Sequence, residues 1–169
     1  CVFDCETIPD ANLIRKIYGI DGSDEDVSMQ AMALQKEASG SEFLPVMFHR
    51  VVAISAVMAD EYGKFLKVST MEGKDEREII AKFLKFINDY NPRLVSFNGR
   101  GFDLPMLMVR AMRYNLNAAA YYESENKELN KNKWENYRAR YSPKFHLDLL
   151  DFISDFGSVR GIKLDTLCA

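Results

Sequence analysis

Cysteine and histidine are scarce in this chain: three and two among 169 residues. Cys1, Cys5 and Cys168 are an odd number with no Cys-x-x-Cys pair, so neither a disulfide framework nor a zinc site is indicated. No apolar run approaches the ~20 residues that a bilayer requires. The longest uncharged stretches, Val51 to Ala59 among them, have nine. A membrane span is therefore not expected, and reduced thiols fit a cytoplasmic setting. Neither charge dominates: 22 basic against 25 acidic residues leave −3, so a polyanionic partner would be held by a local patch or through metal ions rather than by the overall field. The glycines make no dinucleotide fingerprint either. After Gly99 and Gly101 a third glycine would have to stand at position 104, which is Leu. Repeats and low-complexity tracts are missing, and what remains is a globular composition sized for one domain.

What the chain does have is two carboxylates where carboxylates are unwelcome. Asp4 and Glu6 interrupt Val2-Phe3-Asp4-Cys5-Glu6-Thr7, an apolar stretch that reads as a buried strand, and strands are depleted in acids. Side chains alternate along a strand, so Asp4 and Glu6 share one face while Phe3 and Cys5 share the other. Two strand steps separate the acids by roughly 6.5 Å, and at an effective dielectric near 20 they repel by roughly 2–3 kcal/mol. A divalent cation reverses the sign of that interaction, and hard oxygen ligands suit magnesium or manganese.

Downstream, residues 10–48 read as a partly helical insertion with an acidic stretch at Asp21–Asp26 and a helix-like run at Met29–Lys36. Arg50–Ala59 is almost continuous Val, Ile and Ala, the pattern of a strand covered on both faces. With Lys64–Thr70 it predicts a hairpin with one exposed edge. Asp75 and Glu78 predict a helix start, Ile79 to Tyr90 keep to one face, and Asn91-Pro92 ends the helix. Arg93–Phe97 is a short strand, and Leu104 to Met112 begin a second helix. Tyr121–Lys144 mixes basic and aromatic residues. Such a mixture can hold a single nucleic-acid strand, but a solvated helix whose side chains lie on the core explains it as well and is the expectation. His146–Asp148 is a short strand leading into a helix.

Asp103 follows Phe97-Asn98-Gly99-Arg100-Gly101-Phe102 at the mouth of that second helix, where helix capping alone would account for it. In a sheet with helical crossovers, ligands gather beyond the carboxyl ends of parallel strands. If the strands before Thr7 and Asn98 are parallel neighbours, Asp4, Glu6 and Asp103 converge. Three carboxylates can hold two metal ions about 3.5–4 Å apart that clamp the attacking and leaving oxygens of a phosphodiester.

Phe3-Asp4-Cys5-Glu6-Thr7 resembles the first motif, and Phe97 through Asp103 to Pro105 the second, of the DEDD 3′-to-5′ exonucleases. The likeness is in particular to the proofreading domain of family-B DNA polymerases and its stand-alone bacterial relatives. His49–Ser55, Asp148–Asp151 and Lys163–Leu167 resemble that group too. The resemblance implies an α/β, ribonuclease H-like fold: a mixed five-stranded sheet, its first three strands antiparallel, with helices on both sides. It implies two Mg2+ or Mn2+ ions on Asp4, Glu6 and Asp103, with Glu6 also orienting the attacking water. Asn98 and Phe102 would touch the terminal nucleotide, and Thr7 would hydrogen-bond near the scissile phosphate. The substrate would be the 3′ end of a single strand, DNA ahead of RNA. The group also uses a fourth acid, preceded by a Tyr or His general base. His146 and Asp151 have a matching spacing but fall where the group has its ordinary fifth strand and following helix, so a single domain, 1–169, truncated before that third motif is expected. The rivals are a catalytically incomplete nucleic-acid-binding or partner-binding module on the same fold, and a related nuclease that cuts internally. Oligomeric state is not legible.

Overall fold

Strand β1 (Val2–Pro9) keeps the alternation that its sequence predicts: Phe3 and Cys5 are buried, while Val2, Asp4 and Glu6 are exposed. The computed structural model describes residues 1–169. β1 is followed by helices α1 (Ala11–Tyr18) and α2 (Asp24–Ser39), a 3-10 turn (Val46–Phe48), and strands β2 (His49–Ala59) and β3 (Phe65–Thr70). Then come α3 (Glu76–Tyr90), β4 (Leu94–Ser96), α4 (Asp103–Arg113), α5 (Ala119–Tyr122), β5 (His146–Asp148), α6 (Leu149–Ile153) and α7 (Leu164–Leu167).

The five strands form one mixed sheet in the order β3-β2-β1-β4-β5. β1 pairs antiparallel with β2, and β2 with β3; β1 pairs parallel with β4, and β4 with β5. The expected block of three antiparallel strands is thus only part of the description, because β1 sits at the centre and belongs equally to a parallel half. That placement sets β4 beside the first residues of β1, with Val2 opposite Val95.

One face of the sheet is closed by α3 and α4. Phe3, Cys5, Val51, Ile54 and Ala56 pack with Ile79, Ile80, Phe83, Leu84 and Ile87 of α3 and Leu104, Met106, Leu107 and Ala111 of α4 in a cluster of 19 buried residues. The caps of α3 are those its sequence predicts: Asp75 accepts from the Glu78 N–H, and Asn91 ends the helix in the left-handed region. The opposite face is open at β2, contrary to the two-sided burial that its apolar run predicts. Val52, Ser55 and Val57 are exposed there, beside Asp4 and Glu6. An antiparallel hairpin can leave one face to solvent whatever its composition.

Residues 10–48 are more ordered than expected. Asp10 caps α1, and Ser23 with Asp26 forms a reciprocal capping box at α2, which satisfies backbone donors that the helix starts leave over. The helices close on a second small core of Ala11, Ile14, Val27, Ala31, Leu44 and Phe48. Tyr121–Lys144 is not the expected solvated helix. Beyond α5 it is a run of turns in which Asn126, Asn132 and Asn136 side chains accept backbone N–H groups two or three residues on, an alternative to helical bonding that asparagine favours. Lys131 is buried within it and bonds Asn91, the Ala120 carbonyl and Glu123.

Candidate active site

The second acidic element is built by a loop with no room to spare. A Cβ on Gly99 would lie 2.2 Å from the Ser96 hydroxyl oxygen, and one on Gly101 would lie 2.5 Å from the Asn98 Oδ1. Asn98 itself is left-handed at φ 62. Buried Asp148, at the end of β5, accepts the N–H groups of Asn98 at 2.9 Å and Arg100 at 2.8 Å and also caps α6 through Leu150. One carboxylate from the neighbouring strand therefore sets the loop's path. Sequence reading placed Asp148 only within a likeness; its two loop contacts arise from the parallel β4–β5 pairing, which spacing does not reveal.

Asp103 is the first residue of α4, and the cap position before it is Phe102, whose side chain makes no capping bond. Capping does not explain the aspartate. It is buried, and burial together with the charge of Asp4 pushes its carboxyl up to about 6. The intervening Cys5 thiol is pushed well up by burial, and then by Asp103 and Asp4. An ionised acid here is held against its preference, and a nearby cation would reverse that.

The expected site residues are only partly gathered. Asp4 is close enough for its charge to raise Asp103, whereas Glu6, on the same open face as Asp4, does not contribute to that shift. No three His, Cys, Asp or Glu side chains stand together as a ready metal cluster. The donor set is nonetheless all oxygen and carries the charge a hard cation requires. Asn98 is exposed on the loop. Thr7 follows a register shift after Glu6 and is turned to His49, its Oγ1 3.1 Å from Nδ1. His49 Nε2 lies 3.0 Å from the Leu44 carbonyl, which can only accept, so Nε2 donates and Nδ1 accepts from Thr7. Burial lowers the proton affinity of the ring, consistent with that neutral form. Phe102 packs edge-on against His49 at 4.9 Å and Phe43 at 5.0 Å.

His146 and Asp151 are otherwise engaged. His146 is buried, bonded to Ser96 through Nε2, and pushed down to about 4 by burial and Arg100. Asp151 faces Arg140 at 2.6 Å and Arg100 at 3.3 Å. No helix is long and apolar enough to cross a membrane.

No curated protein matches the chain. Residues 41–169 match the family model of a predicted 3′-5′ exonuclease related to the exonuclease domain of PolB. The match takes in Asn98, Phe102 and Asp103, while Asp4, Glu6 and Thr7 precede it. With most of its length covered, the chain belongs to this family of predicted 3′-5′ exonucleases related to the exonuclease domain of PolB.

Proposed function

We propose that this is a metal-dependent 3′-5′ exonuclease domain of ribonuclease H-like fold, acting at the 3′ end of single-stranded nucleic acid, DNA ahead of RNA. The observation that carries the reading is the buried Asp103 carboxyl, raised to about 6 by burial and by Asp4, at the end of a loop with no room for a side chain at Gly99. A buried acid kept beside a second carboxylate is the arrangement expected of a functional site rather than of a scaffold.

Asp4 and Asp103 would hold magnesium or manganese, with Glu6 closing in from the same strand face and orienting the attacking water. A pair of such ions supplies a water ionised near neutral pH and a counter-charge for the phosphate oxygens. Asp4 and Glu6 are exposed, so their side chains are free to turn toward an ion, while Asp103 is fixed. Asn98, at the exposed part of the loop, would touch the terminal nucleotide, and Phe102 would do so through its ring stack. A Thr7 contact near the phosphate requires its bond to His49 to open.

A 5′-labelled single strand incubated with Mg2+ or Mn2+ should shorten stepwise from its 3′ end, and Asp4→Asn or Asp103→Asn should abolish the ladder. Equal degradation by both variants refutes the assignment. The dispersed state of the three acids favours one second reading, a catalytically incomplete module that binds nucleic acid without cutting it. It predicts binding that is the same in EDTA as in Mg2+, with no shortening in either.

A further inference from the structure

The run of turns from Tyr121 to Lys144 mixes basic and aromatic residues, and the fold sorts its cations into two kinds. Lys131, Arg140 and Lys144 pair with Glu123, Asp151 and Glu135 at 2.8, 2.6 and 2.8 Å. Lys133 and Arg138 have no carboxylate partner and lie over aromatic rings instead. Lys133 Nζ is 4.9 Å from the centre of the Trp134 ring, and the Arg138 guanidinium is 5.5 Å from that of Tyr122. Both rings face solvent, Trp134 with 72% and Tyr122 with 45% of its surface exposed. The backbone beneath them is held. Buried Asn136 accepts the Arg138 N–H and donates to the Asn132 carbonyl, which ties the turn of Trp134 to that of Arg138. Tyr137, between them, is fully buried and donates its hydroxyl to the Pro92 carbonyl. This surface also reaches the acidic loop. Arg140 and Arg100 hold Asp151 between them, and with Asn98 and Gly101 they line a cavity of about 260 Å³.

We infer that this run of turns holds the interior of a single nucleic-acid strand, with Trp134 and Tyr122 stacking on its bases and Lys133 and Arg138 meeting its phosphates. The inference rests on the nuclease reading only for where the 3′ end lies, and it adds a second holding surface away from the acids. A net charge of −3 provides no overall attraction for a polyanion, so a strand is held only where cations are locally free. Lys133 and Arg138 are such cations, because a phosphate displaces no ion pair from either. Each stands on a ring that offers a base its face, and base stacking on an aromatic side chain tolerates any sequence. An acidic peptide would use the charges and leave the rings without a counterpart. A duplex keeps its bases stacked inside and would do the same. The cavity lined by Asn98, Arg100 and Arg140 connects this surface to the loop that leads into Asp103, so one strand spans both.

Trp134 is the single tryptophan of the chain, and its emission reports on this surface. Oligothymidylate of about 12 nucleotides, within the usual span of a strand-binding surface, is titrated into the whole chain in EDTA, where metal-dependent cutting is stopped. The emission should fall as the strand binds and stay unchanged with a blunt duplex of the same length or with polyglutamate. Binding to the variants is followed by the anisotropy of a 5′-fluorescein strand. Trp134→Ala and Tyr122→Ala should keep the native circular dichroism and bind about 5- to 100-fold more weakly. Arg138→Gln should flatten the slope of log affinity against log salt by about 0.7, the value for one phosphate contact on a single strand. Constant Trp134 emission while the strand binds, native affinity in both ring variants, or an equal response to polyglutamate overturns the surface. If that protein still shortens strands with Mg2+, the nuclease reading stands. Quenching by the strand in a protein that shortens nothing supports the surface and overturns the nuclease reading.

Discussion

The guanidinium of Arg110 bonds the carboxylate of Asp10 at 2.7 Å, joining residues a hundred positions apart. Asp10 ends the segment that carries Asp4 and Glu6, and Arg110 lies two helical turns after Asp103 on α4, so the pair fastens one acidic element to the other. Arg110 also grips Glu76 at the start of α3, and Glu76 in turn accepts the Val51 N–H and the Tyr114 hydroxyl. All three charges are buried. Removing Arg110 leaves Glu76 without a cation, while Asp10 keeps Arg113 at 2.7 Å, and Arg110→Met is expected to cost about 3–5 kcal/mol in urea unfolding. Arg110→Lys should recover only part of this, since a point charge cannot replace a fork that serves two carboxylates. A loss below about 1 kcal/mol for the methionine variant would contradict the role given to the network.

Asp103 makes the metal-free protein less stable at high pH. Its folded carboxyl binds a proton more tightly than the unfolded one, about 6 against 3.8. The stabilisation from that proton is fully present below the unfolded value and is lost as pH rises through about 6. Asp103→Asn, which is neutral throughout, should therefore be more stable than native by about 1–3 kcal/mol at pH 8 in EDTA, with the advantage gone near pH 4. Denaturant unfolding at the two pH values measures it, and an advantage that is the same at both would refute the electrostatic explanation.

Gly99→Ala should cost about 1–3 kcal/mol, the range for forcing a methyl group into a packed site, because its Cβ would meet both Ser96 Oγ and Ser96 Cβ, at 2.2 and 2.6 Å. Strand shortening should fall further than stability does, since the displaced loop leads directly into Asp103. A variant that loses stability alone would show that the loop's path is irrelevant to the chemistry.

Asp148→Ala leaves the N–H groups of Asn98, Arg100 and Leu150 without their acceptor. These groups are only partly buried, so the loss of thermal stability should fall at the low end of the roughly 1–3 kcal/mol that each unsatisfied buried group costs, with faster amide exchange at Asn98 and Arg100. Unchanged exchange there would show that the carboxylate does not hold the loop.

The parts of this molecule that sequence made legible are those governed by neighbours along the chain. The alternation around Asp4 and Glu6, the caps Asp75 and Asn91, and the glycines before Asp103 all act within a few residues, and each appears where its pattern puts it. The capping box of Ser23 and Asp26 is equally local, yet the surrounding run of acids masks it. Val and Ile in β2 record strand preference, not the number of covered faces, so its open face is not legible from them. The basic and aromatic residues after Tyr122 predict a helix, but the asparagines among them favour the turns that form. Arg110 with Asp10, and Phe43 with His49 and Phe102, are meetings of distant segments and leave no periodic trace. The resemblance supplied the direction of digestion, which no side chain on its own encodes.

Whether Asp4 and Asp103 gather a divalent cation is answered by a crystal of the protein soaked in manganese. An anomalous-scattering peak is expected within ligating distance of carboxylate oxygens of both residues, with Glu6 turned toward it. No peak at that position, or manganese found only elsewhere on the molecule, would contradict the assignment.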